Sequence, residues 1–454
     1  MSFVALDLGA SNTRYVSDGG NVSILPNNMV ILNTDQYVDM EPYANNIESA
    51  LEVVITKEED SEFFPVKALI GQMADRYSSI NERPSVMMNK HVQKINYISG
   101  IVATAVSKLR FGLGDEISLY VTLPPIECRG AKEEMKNNFV GTYNVKFLKY
   151  NDGVEVNFKI VDVGCYEESF MSILSYFFEM GGVPKESSAK YAIGNILSLD
   201  IGASTTDLAI IKDGKYLDKS GQTYKTGGDV ARDSLIDSVR AKYGFDLPIE
   251  DAEHTIAEGR LQLGNTYVIV TDIVEKAKRD CAESIVAQMQ GYFRQVNIPI
   301  QTIRAIITSG GGSMRSQFID ENGQIVETSK PMSHYITESL RNVCKEVEVE
   351  PYGEDSRLAN IKGLFIRAKV DMNKKSRQHQ DNYDEPAGNS DTVDSEDITG
   401  GGVDGSSGAV IGVDSDVDST VNDVEAGIDD AVDTSSSDNN IDSTGGSGSR
   451  GIVI

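Results

Sequence analysis

Two stretches of the sequence place an acidic residue beside glycine and small hydroxyl residues. The first is Asp7-Leu8-Gly9-Ala10-Ser11-Asn12-Thr13-Arg14, and the second is Asp200-Ile201-Gly202-Ala203-Ser204-Thr205-Thr206-Asp207. Each follows one apolar run and precedes another, which predicts two strands joined by a tight turn. Glycine in such a turn lets backbone amides approach an anion. A Mg²⁺ ion held by the acid would offset the repulsion between carboxylate and phosphate.

Two such turns that face each other would bind a nucleoside triphosphate from both sides. A single D-x-G-x-[ST] pattern is more often a solvent-exposed hairpin, so one copy carries little weight. Two copies, beginning at Asp7 and Asp200, indicate instead a duplicated two-domain architecture with the ligand in the cleft.

Glycines recur at two further points. Ser309-Gly310-Gly311-Gly312 follows a predicted buried strand, Ile303 to Ile307, where bare backbone would let a purine and a ribose lie flat; a flexible turn is the alternative. Gly227-Gly228 precedes a predicted helix that runs to about Tyr243, which suits close approach of backbone to a ligand. Asp229, at the start of this helix, is a candidate for its N-cap.

These motifs resemble the phosphate-1, phosphate-2 and adenosine motifs of the actin-like ATPase superfamily. Over roughly residues 1 to 370 the chain is most similar to bacterial and archaeal actin-like proteins of the ParM-like, plasmid-segregation kind. The resemblance implies an α/β, actin-like (duplicated ribonuclease H-like) two-domain fold. Domain I would be 1–185, with a small subdomain at about 34–90, and domain II would be 186–370, ending in a return helix to domain I.

The resemblance also implies a set of site residues. Asp7 and Asp200 would hold a hydrated Mg²⁺, Arg14 would reach the β- and γ-phosphates, and the catalytic set would be Glu168, Asp200 and Asp7. Glu168 matches the acid that begins the family's crossover helix and orients water. Glu167, however, stands where the family often has Pro. Alternatively, both glutamates merely interact favourably with the helix dipole. The residues expected to contact the nucleotide are Gly9, Ala10, Ser11, Asn12, Thr13, Arg14, Gly202, Ala203, Ser204, Thr205, Thr206, Gly227, Gly228, Gly310, Gly311 and Gly312.

Other elements are predicted around these motifs. Apolar residues spaced by three and four predict a helix from Met88 to Leu109, and Ile117 to Leu123 predicts a buried parallel strand. A further helix is predicted over Asp251 to Gly264, with Glu258 and Arg260 as polar candidates near the nucleoside. Ala359-Asn360-Ile361-Lys362-Gly363 resembles the family's connect-2 segment, in which Gly363 would permit close helix packing across the hinge.

Charge and composition argue against several classes of function. The net charge of the 454 residues is −27, and 18 acidic residues against Arg450 alone place −17 of it between Asp381 and Ile454. A basic footprint is absent, so direct nucleic-acid binding is not expected. Four separated cysteines and four scattered histidines give neither a zinc nor a disulfide pattern. Without a signal-peptide pattern or a run long enough to span a bilayer, the expectation is a cytoplasmic protein with no membrane partner.

The C-terminal region changes character abruptly. Residues 371–454 are an acidic, low-complexity tail that cannot bury enough apolar surface to offset ordering entropy, which predicts disorder. Valine and isoleucine residues at helical spacing from 413 to 433 raise the hypothesis of an acidic amphipathic segment that folds on a basic, apolar partner. The alternative is a solvated chain.

The sequence therefore predicts a filament-forming, actin-like ATPase with slow hydrolysis, active in plasmid or other DNA segregation or in intracellular positioning. Its cofactors would be ATP, with GTP left open, and Mg²⁺. Its partners would be further copies of itself and a DNA-binding adaptor protein. Two alternatives remain: a small-molecule kinase of the same fold, and a non-polymerising, ATP-gated adaptor.

Overall fold

The computed structural model describes residues 2–9, 12–33, 35, 47, 51–77, 89–151, 153–191, 193–341, 343–344, 346–353 and 355–384. Ala10 and Ser11 of the first turn, and the hypothetical helix at 413–433, lie outside the described residues. The described residues up to Ala368 form one compact unit, and those from Lys369 onwards are assigned to a second.

One mixed sheet is built from the first part of the chain. Its strands are β1 (Ser2–Leu8), β2 (Asn12–Ser17), β3 (Ser23–Pro26), β4 (Met29–Leu32), β5 (Glu52–Lys57), β6 (Val66–Ile70), β7 (Glu116–Leu123), β8 (Gly141–Phe147) and β9 (Val154–Glu167). Their order across the sheet is β3-β2-β1-β7-β9-β8-β5-β6-β4. The predicted buried parallel strand is confirmed as β7, which lies parallel to both β1 and β9.

Among the described residues, four α-helices belong to the same part of the chain. They are α1 (Gln72–Tyr77), α2 (Lys94–Phe111), α3 (Pro125–Phe139) and α4 (Glu168–Phe177). The predicted start of α2 at Met88 was wrong, because Lys90–Val92 forms a 3₁₀ turn and the α-helix begins only at Lys94. Helix α3 was not predicted; Pro125 occupies its first turn, where proline's missing N–H costs nothing.

A second sheet repeats the arrangement. Its strands are β10 (Asn195–Ile201), β11 (Thr206–Lys212), β12 (Lys215–Tyr216), β13 (Gln222–Tyr224), β16 (Ile303–Ser309) and β19 (Glu348–Pro351), in the order β12-β11-β10-β16-β19 with β13 beside β11. Strand β10 is antiparallel to β11 and parallel to β16, just as β1 is antiparallel to β2 and parallel to β7. Both predicted hairpins are therefore confirmed.

Helices and two small hairpins complete the second part. The helices are α5 (Gly228–Tyr243), α6 (Ile249–Glu258), α7 (Thr271–Gln295), α8 (Met332–Leu340) and α9 (Ala359–Asp384), and the hairpins are β14 (Arg260–Leu263) with β15 (Thr266–Ile269), and β17 (Ser316–Ile319) with β18 (Ile325–Ser329). The helix predicted to reach Gly264 was wrong in its second half, since α6 stops at Glu258 and Gly259 adopts a positive φ of 71°. Left-handed backbone of this kind ends a helix.

Each sheet has its own apolar core. Buried side chains of β1, β7 and α2 belong to one cluster, and those of β10, α5 and α7 belong to another. Within the described ranges, the helices include none with the length and hydropathy needed to cross a membrane.

Candidate functional site

The two hairpins place their acids at equivalent positions. Asp7 lies near the end of β1 and Asp200 near the end of β10, and both side chains are buried, with 3% and 5% of the residue exposed. The residue opposite each acid differs. Asp7 pairs across the strands with Arg14, whereas Asp200 pairs with a second acid, Asp207.

The carboxylate of Asp7 is neutralised within its own lobe. Arg14 Nη1 donates to Asp7 Oδ2 at 3.1 Å, and Thr122 Oγ1 donates to Asp7 Oδ1 at 2.9 Å. Arg14 was predicted to reach phosphates; in this structure its guanidinium forms an ion pair with Asp7.

The two acids of the second hairpin receive hydrogen bonds from neutral groups. Asn360 Nδ2 donates to Asp200 Oδ2 at 2.8 Å, and Ser309 Oγ donates to Asp200 Oδ1 at 3.3 Å. Thr223 Oγ1 donates to Asp207 Oδ1 at 2.6 Å. Burial raises the pKa of both carboxyls, and nearby Glu168 raises that of Asp207 further.

Glu168 completes a buried acid cluster with these two residues. One carboxylate oxygen from each of Glu168, Asp200 and Asp207 lies within 4.8 Å of the other two. Burial raises the pKa of Glu168 to about 7, opposed by Lys90, whose Nζ donates to Glu168 Oε1 at 2.5 Å. The charge of Asp7 raises the pKa of Glu168 and of Asp200 as well, so the Asp7 carboxylate is close enough to act on the same pocket.

This donor set fits a hard divalent cation. Carboxylate oxygens are the ligands that Mg²⁺ takes from proteins, usually together with water, and three buried carboxylates hydrogen-bonded mainly to neutral donors leave negative charge for a cation to balance. The trio differs from the predicted pair of Asp7 and Asp200: Asp207 and Glu168 join Asp200, and Asp7 is not among the three. Asp207 was not among the predicted candidates, although its register opposite Asp200 was the available signal.

The second turn is packed tightly against the start of α5. A Cβ added to Gly227 would lie 2.7 Å from the carbonyl oxygen of Ala203 and 2.8 Å from both the Gly202 oxygen and the Thr205 nitrogen. The amides of Gly228 and Asp229 donate to the Gly202 and Ala203 carbonyls at 2.9 and 2.6 Å. The helix start and the turn therefore form one cradle that only a glycine at position 227 permits.

Asp229 fixes this cradle rather than capping the helix. The N-cap residue is Gly227, and the carboxylate of Asp229 accepts a hydrogen bond from Ser204 Oγ and another from Arg232 Nη1 at 2.7 Å. The N-cap alternative for Asp229 was thus wrong.

Asn27 holds the first turn and was missed by the sequence reasoning. Its Nδ2 donates to the Gly9 carbonyl at 2.5 Å, and its Oδ1 accepts from Thr13 Oγ1 at 2.7 Å. A Cβ on Gly9 would lie 2.8 Å from the Asn12 carbonyl oxygen, so this turn also requires glycine.

The hydroxyls of Thr13 and Thr206 bond to the protein itself. Thr13 contacts Asn27, and Thr206 Oγ1 donates to the Thr226 carbonyl at 2.5 Å; both threonines are buried. The structure does not turn these two predicted side chains towards the acid cluster. Gly202 contributes through backbone geometry, because its amide closes the turn by donating to the Thr205 carbonyl at 2.8 Å.

The three-glycine loop lies directly against the end of β10. A Cβ on Gly310, whose φ is 84°, would approach the carbonyl carbon of Ile201 to 2.8 Å, and one on Gly312 would approach Ile201 Cγ2 to 2.6 Å. Gly311 is more open, with Arg357 Cγ at 3.7 Å as the nearest atom. Two of the glycines are therefore explained by close packing beside Asp200.

A buried lysine supports the end of this loop. Lys278 of α7 donates from Nζ to the Met314 carbonyl at 3.0 Å, to Ser329 Oγ at 2.8 Å and to the Lys330 carbonyl at 3.1 Å. Burial lowers its pKa to about 7.

The remaining polar candidates lie in other contacts. Arg260 Nη2 and Glu258 Oε2 form an ion pair at 2.6 Å, and the guanidinium stacks over the rings of Tyr267 and Phe318. Glu167 is the N-cap residue of α4 but makes no side-chain cap; its carboxylate accepts a hydrogen bond from Tyr216 OH.

Comparison with known proteins identifies the fold. Residues 198–321 match the protein family described as archaeal actin homologue MreB-like, C-terminal, and no curated protein matches the chain. The actin-like protein Alp7A superimposes with a TM-score of 0.63 at 18% identity, covering 84% of this chain and 99% of its own. The mixed α/β, actin-like two-domain fold and the resemblance to prokaryotic actin homologues are thereby confirmed.

Two ParM structures are also similar. ParM of Bacillus thuringiensis, solved with ATP, has a TM-score of 0.55 at 17% identity and covers 82% of this chain and 99% of its own. A non-polymerisable quadruple mutant of pCBH ParM has a TM-score of 0.53 at 16% identity and covers 81% and 99%. At these identities the likeness establishes the fold alone.

Proposed function

We propose that this protein is a nucleotide-dependent ATPase that assembles into filaments, as in a plasmid-segregation or positioning system. The observation that carries the proposal is the buried trio of Glu168, Asp200 and Asp207 beside two glycine turns. The single ammonium of Lys90 cannot balance three buried carboxylates, and uncompensated buried charge is costly in a folded protein. Binding of a metal–nucleotide complex would offset the free-energy cost of burying these carboxylates.

The cofactors proposed are ATP and Mg²⁺. The ion would be held, directly or through water, by Asp200, Asp207 and Glu168. Asp7 would contribute negative charge from the first turn. The phosphates would be surrounded by the backbone around Gly9, Gly202 and Gly227. Mg²⁺ supplies charge neutralisation of phosphate oxygens when bound. The ATP found with the ParM of similar fold supports this choice of nucleotide.

Glu168 is proposed to orient the attacking water. Its pKa of about 7 is near the range in which a carboxylate serves best as a general base at neutral pH. The group begins α4, so helix packing fixes its position. Hydrolysis would be slow because its role is to time disassembly.

Domain organisation follows the same proposal. Residues 1–185 would form domain I and 186–370 domain II, with α9 returning towards domain I. The disorder predicted from residue 371 was wrong as far as Asp384, because α9 continues to that residue, so the acidic tail would follow α9. Gly363 supports the close approach of this return helix, because an added Cβ would lie 2.6 Å from the carbonyl carbon of Met171 in α4.

Self-assembly is supported by apolar side chains that are exposed in a single chain. Tyr267 and Ile269 on β15, and Ile319 and Ile325 on β17 and β18, are each at least 56% exposed, and Arg260 links the two hairpins by stacking on Tyr267 and Phe318. A clustered apolar surface of this kind is typical of a contact site. The pCBH ParM, studied as a non-polymerisable mutant, is consistent with a second copy as the occupant. With a net charge of −27, DNA would be reached through a separate adaptor.

Four measurements on the purified full chain test the proposal. Calorimetric titration should show ATP binding that strengthens with Mg²⁺, phosphate release should be slow, and pelleting should recover polymer only with Mg²⁺–ATP. Electron microscopy with a non-hydrolysable analogue should show filaments. Phosphorylation of a small acceptor, without polymer, would favour the kinase alternative, and nucleotide binding without polymer or transfer would favour the adaptor.

A further inference from the structure

A single cation, the ammonium group of Lys90, contacts the carboxylate trio within the described part of the chain. Lys90 Nζ lies 2.5 Å from Glu168 Oε1, with 20% of the lysine side chain and 8% of the glutamate side chain exposed. Arg14, the other positive group nearby, is occupied by Asp7. Lys90 was not predicted as a site residue, so its position calls for an explanation.

The backbone that carries Lys90 is held in place from both sides. Asn89 adopts a left-handed φ of 80°, and its amide donates to Glu127 Oε1 at 2.6 Å. The Glu127 carboxylate also contacts His91 Nδ1 at 3.1 Å, and Asn96 Nδ2 donates to the Lys90 carbonyl at 3.0 Å. Asparagine adopts left-handed backbone more readily than most residues, and the hydrogen bond from its amide to Glu127 holds it in that conformation. The lysine is thus directed at the acids by a built support.

We propose that Lys90 is a built-in counter-ion of the acid cluster and exchanges with the divalent cation, so that metal binding separates Lys90 from Glu168. The inference rests on the proposed metal site. It adds that the site alternates between two cations, one belonging to the protein and one from solution.

Charge and geometry explain why Lys90 and a divalent cation would not occupy the acid cluster together. The oxygen of Glu168 that accepts from the ammonium lies in the same carboxylate that the metal would use. A divalent ion among Glu168, Asp200 and Asp207 would also stand close to the lysine charge. Positive charges a few ångströms apart in a protein interior repel each other strongly, because the surroundings screen them far less than water does. Both cations cannot therefore be bound tightly at once.

The exchange would give the site a resting state. While Lys90 is paired with Glu168, that carboxylate is engaged by the ammonium and is not available to the metal. Arrival of the metal would release Lys90 and leave it free to compensate other negative charge in the pocket. Lys90 is accordingly a positioning residue for Glu168, distinct from the metal ligands themselves.

The first test measures metal affinity without nucleotide. Mn²⁺ binding to the full-length protein, followed by electron paramagnetic resonance, is compared among wild type, Lys90→Met, Lys90→Arg and the control Lys94→Met. Removal of the competing charge should tighten Mn²⁺ binding at least about tenfold in Lys90→Met, whereas Lys90→Arg and Lys94→Met should stay within about twofold of wild type. Equal or weaker Mn²⁺ binding by Lys90→Met would overturn the inference.

The second test needs no variant and so does not depend on mutant folding. Reductive methylation of wild-type lysines, read by mass spectrometry, should modify Lys90 several-fold faster with saturating Mg²⁺ than with EDTA, while Lys94 serves as the internal reference. Unchanged Lys90 labelling would reject the exchange. If wild type still binds Mg²⁺–ATP in that case, the proposed function stands alone; if it binds neither metal nor nucleotide, both proposals fail.

Discussion

Gly227→Ala offers the sharpest test of the cradle between the second turn and α5. The φ of Gly227 is −153°, which is ordinary extended backbone, so alanine adds a methyl group without dihedral strain. That methyl would lie 2.7–2.8 Å from three backbone atoms of Gly202, Ala203 and Thr205, against an ordinary contact distance of about 3.4 Å. Backbone atoms cannot move aside as a flexible side chain does, so the helix start must shift away from the turn.

The expected cost is that of overpacking, about 1–3 kcal/mol of unfolding free energy, or roughly 2–10 °C in Tm for a domain of this size. Nucleotide affinity should fall as well, by about tenfold or more, because the displaced amides of Gly228 and Asp229 no longer brace the turn through their bonds to Gly202 and Ala203. Differential scanning fluorimetry and calorimetric titration with Mg²⁺–ATP measure the two effects separately.

Gly291→Ala is the matched control. Gly291 lies inside α7, and an added Cβ would meet nothing within 4 Å. Alanine there should stabilise the protein by about 0.5–1 kcal/mol through helix propensity and leave nucleotide binding unchanged. If Gly227→Ala behaves like Gly291→Ala in both assays, the close packing of turn and helix, and the phosphate site built on it, are refuted.

Four other predictions can be checked with the same preparations. Gly363→Ala should lower stability by about 3 kcal/mol or more, measured by urea unfolding, because its methyl would overlap the backbone of Met171; a wild-type midpoint would contradict the packing of α9 on α4. Burial lowers the pKa of Lys278 to about 7 in the folded protein, against about 10.4 in the unfolded chain. Between these two pH values the unfolded state keeps a proton on Lys278 that the folded state has released. Unfolding free energy should therefore rise with pH from 7 to 10 by up to about 1.4 kcal/mol per unit, and Lys278→Met should flatten that rise; an equal slope in the variant would show that the three acceptors keep Lys278 charged. Asp207→Asn should raise Tm without ligand, since a buried charge is removed, and abolish the Mg²⁺-dependent part of ATP binding in titrations; retention of that part would exclude Asp207 as a ligand. Ile269→Asp should prevent pelleting with Mg²⁺–ATP while ATP affinity is unchanged, and normal polymer yield would move the subunit contact elsewhere.

The local motifs were predictable because their signals are short in range. Strand, glycine turn and strand follow one another within about fifteen positions around Asp7 and Asp200, so alternation and turn residues specify them. The same holds for the helix beginning at Glu168 and for the glycines at 227 and 310. In each case the pattern that predicts the element is contained in the element itself.

Contacts set by distant residues were not predictable in this way. Lys90 reaches Glu168 because the preceding residue, Asn89, is held through its amide by Glu127. Asn89 and Glu127 are 38 positions apart in the sequence, and no periodic pattern links them. Lys90 also begins the 3₁₀ turn Lys90–Val92, and α2 therefore begins at Lys94 and not at Met88, as the sequence pattern predicted. Asn27, likewise, holds the first turn from the connection between β3 and β4.

Strand parity explains which predicted side chains face the pocket. Side chains alternate between the two faces of a strand, and residues directly opposite each other share a face. Arg14 and Asp207 are opposite the two acids and therefore join them, while the adjacent Thr13 and Thr206 project to the other side and bond to Asn27 and Thr226. A motif read as consecutive letters conceals this alternation, which is why both threonines were included and Asp207 was omitted.

The pairing opposite each acid also argues against equal roles for the two turns. Asp7 faces Arg14, so the first turn is close to neutral, whereas Asp200 faces Asp207 and has Glu168 beside it. A cation would therefore be drawn to the second turn, and the first turn, with the amides around Gly9 and its own guanidinium, would be the better partner for phosphate oxygens. The two hairpins share the same strand pairing, and the difference in charge between Arg14 and Asp207 explains how one of them could serve the anion and the other the metal.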